Sequence, residues 1–311
     1  MNNNIKFSIV IPTYNEEKDI RRTLGYLVAL DWPDFDIVIV DDSTDSTPAI
    51  VGAFHDERIR LIRPSKREGR CAARNIGILE SSGEIVVILN ADVLLPRDFL
   101  RSISCHYENG ADYVLVRSVV DNMDDLFARY IECVGIYQFY GRDPNALEWT
   151  EGFSCRRELA LRAGLFPTGF VIPLCAGEDG AFGNKLGQLH AKKVVDLSIV
   201  CTHTAPASLS EYWHIRKGRG QGSPQVRRFL ENWSFSAIAF RATLRVIVNI
   251  FMAATLLPML LRNIKYAQQS PKRILDVFPF CFAWAVEQAA FSVGEYQSLY
   301  QIAKAERNAH S

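Results

Sequence analysis

Four short apolar segments, separated by segments with helical spacing, fill most of the first 90 residues of this 311-residue chain. Each apolar segment is rich in Ile and Val and ends at a polar residue or a proline, which predicts a buried β-strand. The strand segments are 6–11, 35–40, 59–62 and 84–89, and the helical segments between them are 16–30, 46–54 and 72–81. Because such alternation favours right-handed βαβ units, we predict an α/β fold with a doubly wound, mainly parallel sheet.

Polar side chains follow three of these strands, at 13–16, 41–45 and 90–92. In open α/β sheets, ligands bind beyond the carboxyl ends of the strands. The three clusters are therefore expected to meet in one crevice.

The charges of the chain balance but are unevenly distributed. Lys and Arg number 35, as do Asp and Glu, so a strongly basic nucleic-acid binder is not indicated. Residues 1–202 hold 22 basic and 29 acidic side chains, whereas 203–311 hold 13 basic and 6 acidic ones. The acidic part suits a site for cations, and the basic part suits a phosphate-bearing ligand or an anionic membrane surface.

The seven cysteines are spread along the chain without a Cys-x-x-Cys pair, so they fit neither a zinc ribbon nor a disulfide scaffold. Reduced, packed cysteines predict a location on the cytoplasmic side. The amino-terminal segment also lacks the pattern of a signal peptide.

Four segments carry a family resemblance: SIVIPTYNEE, IVIVDDSTDST, REGRCAARNIGI and EIVVILNADV. In this order and spacing they resemble the inverting family-2 glycosyltransferases, which have the GT-A nucleotide-sugar-binding fold. The resemblance continues, less tightly, to Arg219-Gly220 and covers about two-thirds of the chain. It implies a donor that is a nucleoside-diphosphate sugar, linked to uridine or guanosine.

The resemblance also implies which residues bind the nucleotide. Asp41 would accept a hydrogen bond from the base, and an aromatic face beside a carboxylate suits the recognition of a base. The alternative for the loop after the first strand is a plain turn and helix start, and for the arginines it is a solvated basic face. The other implied nucleotide or donor contacts are Pro12, Tyr14, Glu16, Arg70, Arg74, Asn90 and Ala91.

Asn90-Ala91-Asp92 stands where the family usually has Asp-x-Asp, whose carboxylates hold a divalent cation, Mn²⁺ or Mg²⁺, on the diphosphate. Asp92 keeps the carboxylate implied to contact the metal, whereas Asn90 removes one negative charge. His203 resembles a late metal ligand of some relatives. The alternative for His203 is a structural histidine.

Glu178-Asp179 resembles the Glu-Asp pair of the family. Asp179 would be the general base that deprotonates an acceptor hydroxyl, and Glu178 would orient the site. The alternative is an ordinary helix N-terminus, where carboxylates are favourable. Further on, Arg216 and Arg219 lie in the glycine-rich segment 213–222, which we expect to be a flexible flap over the diphosphate; the alternative is a basic surface loop.

The chain changes character near residue 230, which we expect to separate a catalytic domain, 1–230, from a helical appendage, 231–311. Segments 238–261 and 278–294 are apolar, but 246–261 gives only 16 residues without a charge, fewer than the ~20 that a spanning helix needs. Arg241, Arg245 and Asn249 recur every four residues as a polar stripe. This pattern favours helices that lie on a membrane surface, over packing on the core of the protein or across a dimer.

Together these patterns predict an inverting glycosyltransferase at the cytoplasmic face of a membrane, with a hydroxyl of a lipid-linked or cell-envelope glycan as acceptor. Two alternatives stay open. One is a polyprenyl-phosphate glycosyltransferase. The other is an inactive sugar-nucleotide-binding scaffold, which is favoured by the Asn at position 90 in place of the usual Asp. The oligomeric state is left open.

Overall fold

The computed structural model describes residues 5–141, 143 and 146–309. Its eight strands form one sheet with the order β3-β2-β1-β4-β7-β6-β8-β5. The strands are β1 Phe7–Thr13, β2 Phe35–Asp41, β3 Ile59–Ile62, β4 Ile85–Ile88, β5 Val93–Leu94, β6 Tyr113–Val120, β7 Phe153–Arg156 and β8 Lys193–His203.

The first four strands of the chain form the parallel half of the sheet. β1 pairs with β2 on one side and with β4 on the other, and β2 pairs with β3. Strands buried on both faces are continuous apolar runs rather than alternating ones, which is why the sequence shows them clearly. The α/β class and the parallel sheet are confirmed.

The other half of the sheet is antiparallel where its register is defined. β7 runs antiparallel to both β4 and β6, and β5 runs antiparallel to β8. The alternation of strands and helices predicted only the parallel half.

Eleven α-helices connect and flank the strands within the described residues. They are α1 Ile20–Val28, α2 Thr47–Gly52, α3 Arg70–Glu80, α4 Phe99–Glu108, α5 Leu126–Gly135, α6 Arg157–Arg162, α7 Glu178–Gln188, α8 Leu209–Gln225, α9 Phe235–Thr255, α10 Leu257–Ala267 and α11 Val277–Ala309. The first helix begins later than the predicted residue 16. The loop before it turns through Asn15, whose φ is 59°.

The chain forms two compact units, each made of several segments. The sheet unit contains Met1–Val119, Leu147–Thr168 and Asp179–His203, and the helical unit contains Val120–Ala146, Gly169–Glu178 and Thr204–Ser311.

The core of the sheet unit lies between the sheet and its helices. Ile9, Ile37 and Val87 are fully buried there. Gly77 of α3 lets that helix lie directly on β1, because a Cβ at this glycine would come within 2.2 Å of Val10 Cγ1. Close helix–strand packing of this kind fixes the start of α3 relative to the carboxyl end of β1.

The core of the helical unit is aromatic. Tyr130 of α5 packs edge-to-face against Phe280 of α11 and against Tyr212 of α8, with ring centroids 5.3 Å and 6.5 Å apart. Trp284 of α11 belongs to the same buried cluster. The last helix of the chain is therefore part of the core of this unit.

Candidate active site

The loops after β1 and β2 are joined to each other by hydrogen bonds. The backbone N–H of Asn15 donates to Ser43 Oγ at 2.8 Å, and the N–H of Thr44 donates back to Asn15 Oδ1 at 2.9 Å. The N–H of Glu16 donates to Thr47 Oγ1 at 2.9 Å. The predicted turn is therefore present at Asn15, and it holds Tyr14 and Glu16 beside the end of β2.

Asp41 ends β2 directly opposite Thr13 of β1 in the parallel register. Its side chain is buried, and Oδ1 accepts a hydrogen bond from Thr13 Oγ1 at 2.7 Å. Oδ2 lies 3.3 Å from Arg63 Nε, yet within the described residues it accepts no hydrogen bond. A buried carboxylate oxygen that still lacks a donor is suited to accept one from a ligand.

Tyr14 exposes 40% of its surface at this loop, and the Arg67 guanidinium lies over its ring, 3.5 Å from the centroid. A cation at this distance stabilises the ring face electrostatically. Pro12 is half-buried in the same strand end, and Arg70 lies exposed at the first position of α3, after Gly69 with its φ of 87°.

Arg74, Asn90 and Glu151 form a continuous chain of hydrogen bonds. Arg74 Nη2 donates to Asn90 Oδ1 at 3.1 Å, and Asn90 Nδ2 lies 3.1 Å from each carboxylate oxygen of Glu151. Arg74 is buried, and its guanidinium also lies over the rings of Trp149 and Phe166. The solvated basic face that was the alternative for Arg74 is not what the structure has.

Two carboxyl groups beside Asp92 have raised pKa values. Burial raises the pKa of Glu151 from its usual 4.5 to about 7, and the negative charges of Asp92 and Asp179 add to the rise while Arg74 opposes it. Burial likewise raises the pKa of Glu16 to about 7, again with a contribution from Asp92. Acidic side chains are thus concentrated around Asp92, and a cation there would favour their ionised forms.

The pairing of β5 with β8 concerns the two predicted metal ligands, Asp92 and His203. His203 is opposite Val93 in this register, one residue after Asp92, and its Nδ1 is 2.9 Å from Ser118 Oγ. Ala91 between Asn90 and Asp92 is buried, and its carbonyl accepts a hydrogen bond from Thr23 Oγ1 at 2.5 Å.

In the part of the chain that the structure describes, no group of three or more His, Cys, Asp or Glu side chains is arranged to hold a metal ion. A cation that binds through one or two carboxylates and the phosphates of a substrate does not need such a group. The binding of a cation by Asp92 and His203 stays a prediction.

Glu178 and Asp179 begin α7, directly after Gly177 with its φ of 87°. Asp179 is half-buried, its Oδ1 is 3.2 Å from the N–H of Gly180, and its charge acts on Glu151 within the sheet unit. Glu178 is buried and belongs to the helical unit. The predicted helix is present, and the pair lies at its N-terminus. This position is compatible with a structural role and with a role in catalysis.

The segment 213–222 is not a flexible flap. It lies inside helix α8, which begins at a capping box in which Ser208 Oγ accepts from the N–H of Glu211. Arg216 is buried in the helical unit, where its Nη1 is 3.1 Å from Glu287 Oε1, whereas Arg219 is exposed. The binding of a diphosphate by these two arginines stays a prediction.

On α9, polar side chains pack against α11, and large apolar side chains are exposed. Two residues of the predicted polar stripe pack against α11, where Arg245 Nε is 3.3 Å from Glu295 Oε2 and Asn249 Nδ2 donates to Gln288 Oε1 at 3.0 Å, whereas the third, Arg241, is exposed. Large apolar side chains cover the outer face instead, and they include Phe240, Ile247, Ile250 and Phe251, each more than half exposed. Phe235–Thr255 and Arg273–Asn308 are long and apolar enough to cross a membrane by length and composition.

A family model for glycosyl transferase family 2 matches residues 8–170, which is more than half of the chain. The chain belongs to this family.

Solved structures of similar fold support the GT-A architecture. A mannosyltransferase of Pyrobaculum calidifontis, in complex with GDP-Man and Mn²⁺, aligns over 96% of this chain and 88% of its own, with a TM-score of 0.65 and 23% identity. TarS 1–349 of Staphylococcus aureus, in complex with UDP-GlcNAc, aligns over 94% of this chain and 91% of its own, with a TM-score of 0.53 and 19% identity. At these identities the likeness establishes the fold, which confirms the predicted GT-A class.

Curated relatives match somewhat more than a third of this family-2 chain. The succinoglycan biosynthesis protein ExoO of Rhizobium meliloti is 34% identical over 118 residues, 38% of this chain and 33% of ExoO. The poly(ribitol-phosphate) β-N-acetylglucosaminyltransferase TarS of Staphylococcus aureus is 30% identical over 119 residues, 36% of this chain and 21% of TarS. The match thus covers a third or less of the length of these relatives.

Glu151 is the residue of this family-2 site that the sequence reasoning missed. It precedes β7, and β7 pairs with β4 in a register that places Ile88 opposite Phe153. Extending that register by two residues places Asn90 opposite Glu151. The segment after Glu151 was recognised as part of the resemblance, but no spacing in the sequence shows an antiparallel pairing between residues 61 positions apart.

Proposed function

We propose that this protein transfers a sugar, with inversion, from a uridine or guanosine diphosphate sugar to a hydroxyl group of a glycan acceptor. The observation that carries the proposal is the concentration of carboxylates at the carboxyl edge of the parallel strands. The negative charges of Asp92 and Asp179 both act on the half-buried Glu151 there. Family membership supports the reaction class, and the nucleotide sugars in the two related structures support the class of donor.

We assign the binding of the donor nucleotide to the loops after β1 and β2. Tyr14 offers a ring face for the base, and Asp41 offers a buried carboxylate oxygen for an N–H on the edge of the base. Arg70 and Arg74 add positive charge near the start of α3. The family resemblance also supports a role for Arg216 and Arg219 in neutralising the diphosphate.

Asp92 and His203 are proposed to hold the divalent cation, Mn²⁺ or Mg²⁺. When bound, the cation would stabilise the negative charge on the departing diphosphate. Imidazole is a common ligand of Mn²⁺, whereas Mg²⁺ favours oxygen, so His203 favours Mn²⁺. The related mannosyltransferase structure contains Mn²⁺, which supports this choice.

Asp179 is assigned the role of general base, with Glu178 as its neighbour in the site. The Asp179 carboxylate takes the proton of the acceptor hydroxyl while that oxygen forms a bond to the anomeric carbon. The bond from the anomeric carbon to the diphosphate oxygen breaks, and its electron pair leaves with the nucleoside diphosphate. A single displacement of this kind inverts the configuration and needs only one base.

The acceptor is proposed to be a cell-envelope glycan, free or lipid-linked. ExoO is named for succinoglycan biosynthesis and TarS for a poly(ribitol-phosphate) acceptor, which supports this class. A relative from Pyrococcus furiosus, 30% identical over 114 residues, is a dolichol-phosphate mannosyltransferase, so a polyprenyl-phosphate acceptor is the second candidate.

We assign the exposed apolar faces of the helical unit to a membrane surface, on the cytoplasmic side. The supporting observation is the inward-facing polar stripe of α9, since Arg245 and Asn249 are paired with α11 and leave the apolar face outward. Contiguous exposed apolar surface of this kind is typical of membrane or protein contact sites. The cations Lys272 and Arg273, next to the exposed Ile274 and Leu275, would attract anionic lipid.

Thermal stabilisation by nucleotides tests the proposed donor. UDP, GDP and ADP are compared at equal concentration, with Mn²⁺, with Mg²⁺ and with a chelator. A bound nucleotide raises the unfolding midpoint by mass action, so UDP or GDP should do so more than ADP, and more with cation than without. Sugar transfer to lipid-linked and free glycan acceptors then separates the two acceptor classes. No stabilisation by UDP or GDP, with either cation, would contradict the proposal.

A further inference from the structure

We propose that Glu151 supplies the carboxylate that position 90 lacks, so that the site keeps two acidic side chains although its first Asp is an Asn. The inference rests on the proposed function, because the charge matters for a cation and a diphosphate. Glu151 acts here as a positioning residue, and it is hydrogen-bonded to Asn90.

The pairing of β4 with β7 explains why these two residues meet. Residues 85–88 pair with 156–153 in an antiparallel register, and the same register continued places 90 opposite 151. Asn90 and Glu151 lie beyond these strand ends, where their side chains are in hydrogen-bond contact, and like charges at such a distance disfavour each other. An Asp at position 90 would therefore face a second carboxylate, whereas Asn90 donates to both Glu151 oxygens at 3.1 Å.

Arg74 fixes which way the Asn90 amide points. A guanidinium can only donate, so the atom of Asn90 that faces Arg74 Nη2 at 3.1 Å must be the oxygen. The NH₂ group then faces Glu151, whose ionised carboxylate can only accept. Each of the three side chains thus offers the hydrogen-bonding group that its neighbour requires. An Asn at position 90 therefore suits a Glu at position 151.

The charge balance follows from this matching. Arg74 is positive, Asn90 is neutral and Glu151 carries the acid, next to Asp92. An Asp-x-Asp pattern with a neutral residue at position 151 would have the same number of carboxylates. The charge of the ligands sets the affinity of an oxygen site for a divalent cation. The carboxylate can therefore move from position 151 to position 90 only if the number of carboxylates in the site stays the same.

A reciprocal exchange in the full-length protein tests this. Glu151→Gln keeps the shape and an oxygen acceptor for Asn90 but removes the charge. Asn90→Asp adds a charge opposite Glu151, and the double variant Asn90→Asp/Glu151→Gln moves the charge from one strand to the other. The affinity for UDP and GDP is measured by calorimetry with Mn²⁺ and with a chelator, together with the unfolding midpoint with Mn²⁺ alone and with neither metal nor nucleotide.

We expect Glu151→Gln to lose about tenfold in affinity with Mn²⁺, and the double variant to recover most of the loss. Glu151→Gln should leave the affinity in chelator unchanged, which a purely structural role would not predict. Asn90→Asp should also lower the midpoint without ligands, and the second substitution should restore it.

Two results would overturn the inference: wild-type affinity with Mn²⁺ in Glu151→Gln, or an Asn90→Asp variant that the second substitution does not improve. If the wild-type protein binds neither nucleotide, the proposed function fails, and the inference is then decided by the midpoints with Mn²⁺ alone. Equal stabilisation of wild type and Glu151→Gln by Mn²⁺ would overturn it in that case.

Discussion

Arg129 and Asp276 form a two-point ion pair between side chains that are 147 residues apart in the chain. Arg129 Nε is 2.7 Å from Asp276 Oδ2, and Nη2 is 2.9 Å from Oδ1, with both side chains less than 5% exposed. Arg129 also donates to the carbonyl oxygens of Met123 and Asp124. The pair joins α5 to the segment before α11, so the C-terminal helices are integral to the helical unit.

Removing one partner of this ion pair should destabilise the protein strongly. Asp276→Ala leaves the guanidinium buried without its carboxylate, and we expect a loss of about 3–5 kcal/mol in the free energy of unfolding. Replacing both partners by apolar residues, Arg129→Met with Asp276→Leu, should recover most of this loss. The exposed pair Lys66–Glu68 is the control, and Glu68→Ala should cost less than about 1 kcal/mol. Urea denaturation measures all three, and an Asp276→Ala cost as small as that of Glu68→Ala would contradict the prediction.

Loss of the proposed general base should affect the chemical step and not donor binding. Asp179→Asn keeps the shape of the side chain and the contact with the Gly180 N–H, so nucleotide affinity should stay close to wild type. The transfer rate should fall by ~10²–10⁴-fold, as is usual when a general base is removed. Single-turnover transfer and calorimetry separate the two effects. Transfer at a near-normal rate would exclude Asp179 as the base.

Asp92 should matter for nucleotide binding only when cation is present. Asp92→Ala removes a proposed metal ligand, so the affinity for UDP or GDP should fall with Mn²⁺ and change little in chelator. Asp45→Ala is a useful comparison, because Asp45 Oδ1 accepts from the N–H of Thr47 in the neighbouring loop and is not a proposed ligand. Equal weakening with and without cation would mean that Asp92 is structural.

The raised pKa of Glu16 should make the metal-free protein less stable as pH increases. The folded state holds a proton up to about pH 7, whereas the unfolded chain releases it near 4.5. Between these two values the folded state binds more protons than the unfolded state, so stability falls as pH rises through this window. Unfolding midpoints measured in chelator from ~pH 5 to ~pH 8 should show a smaller decline for Glu16→Gln. The exposed Glu57 is the control, and an equal change in Glu57→Gln would contradict the assignment.

Charges placed on the outer face of α9 should weaken membrane attachment. Ile250 and Phe251 are more than 60% exposed, and burying one large apolar side chain contributes ~1.5–3 kcal/mol. The double variant Ile250→Glu/Phe251→Glu should therefore lose flotation with anionic vesicles while it keeps nucleotide binding. Leu79→Glu, at an equally apolar position that is 52% exposed on α3, is the matched control. Unchanged flotation of the double variant, or no flotation of the wild type, would leave these faces to contacts with protein.

The parallel half of the fold and most residues of the site could be predicted from the sequence, because they depend on short-range patterns. A buried parallel strand is a continuous apolar run, and the polar residue that follows it lies at the ligand edge. Asp41 and Asp92 were found in this way. Glu151 could not be found, because its place beside Asn90 depends on the register between β4 and β7.

The glycines of α8 misled the sequence reasoning for a different physical reason. Glycine lowers helix propensity, and the family resemblance predicts a flexible flap over the segment 213–222. In the structure a Cβ at Gly220 would come within 2.1 Å of the Phe291 carbonyl oxygen, and one at Gly294 within 2.1 Å of the Lys217 carbonyl oxygen. The glycines let α8 and α11 approach backbone to backbone, and tertiary packing outweighs the local propensity.

The separation between Arg129 and Asp276 also has a consequence for the newly made protein. During synthesis at 5–20 residues per second, Arg129 is added to the chain roughly 7–30 s before its ion-pair partner Asp276. Throughout that interval Phe127 and Tyr130 lack the aromatic neighbours that α11 later provides. The nascent chain therefore presents an arginine without its carboxylate and an apolar helix to its surroundings, and exposed apolar surface of this kind is prone to aggregation.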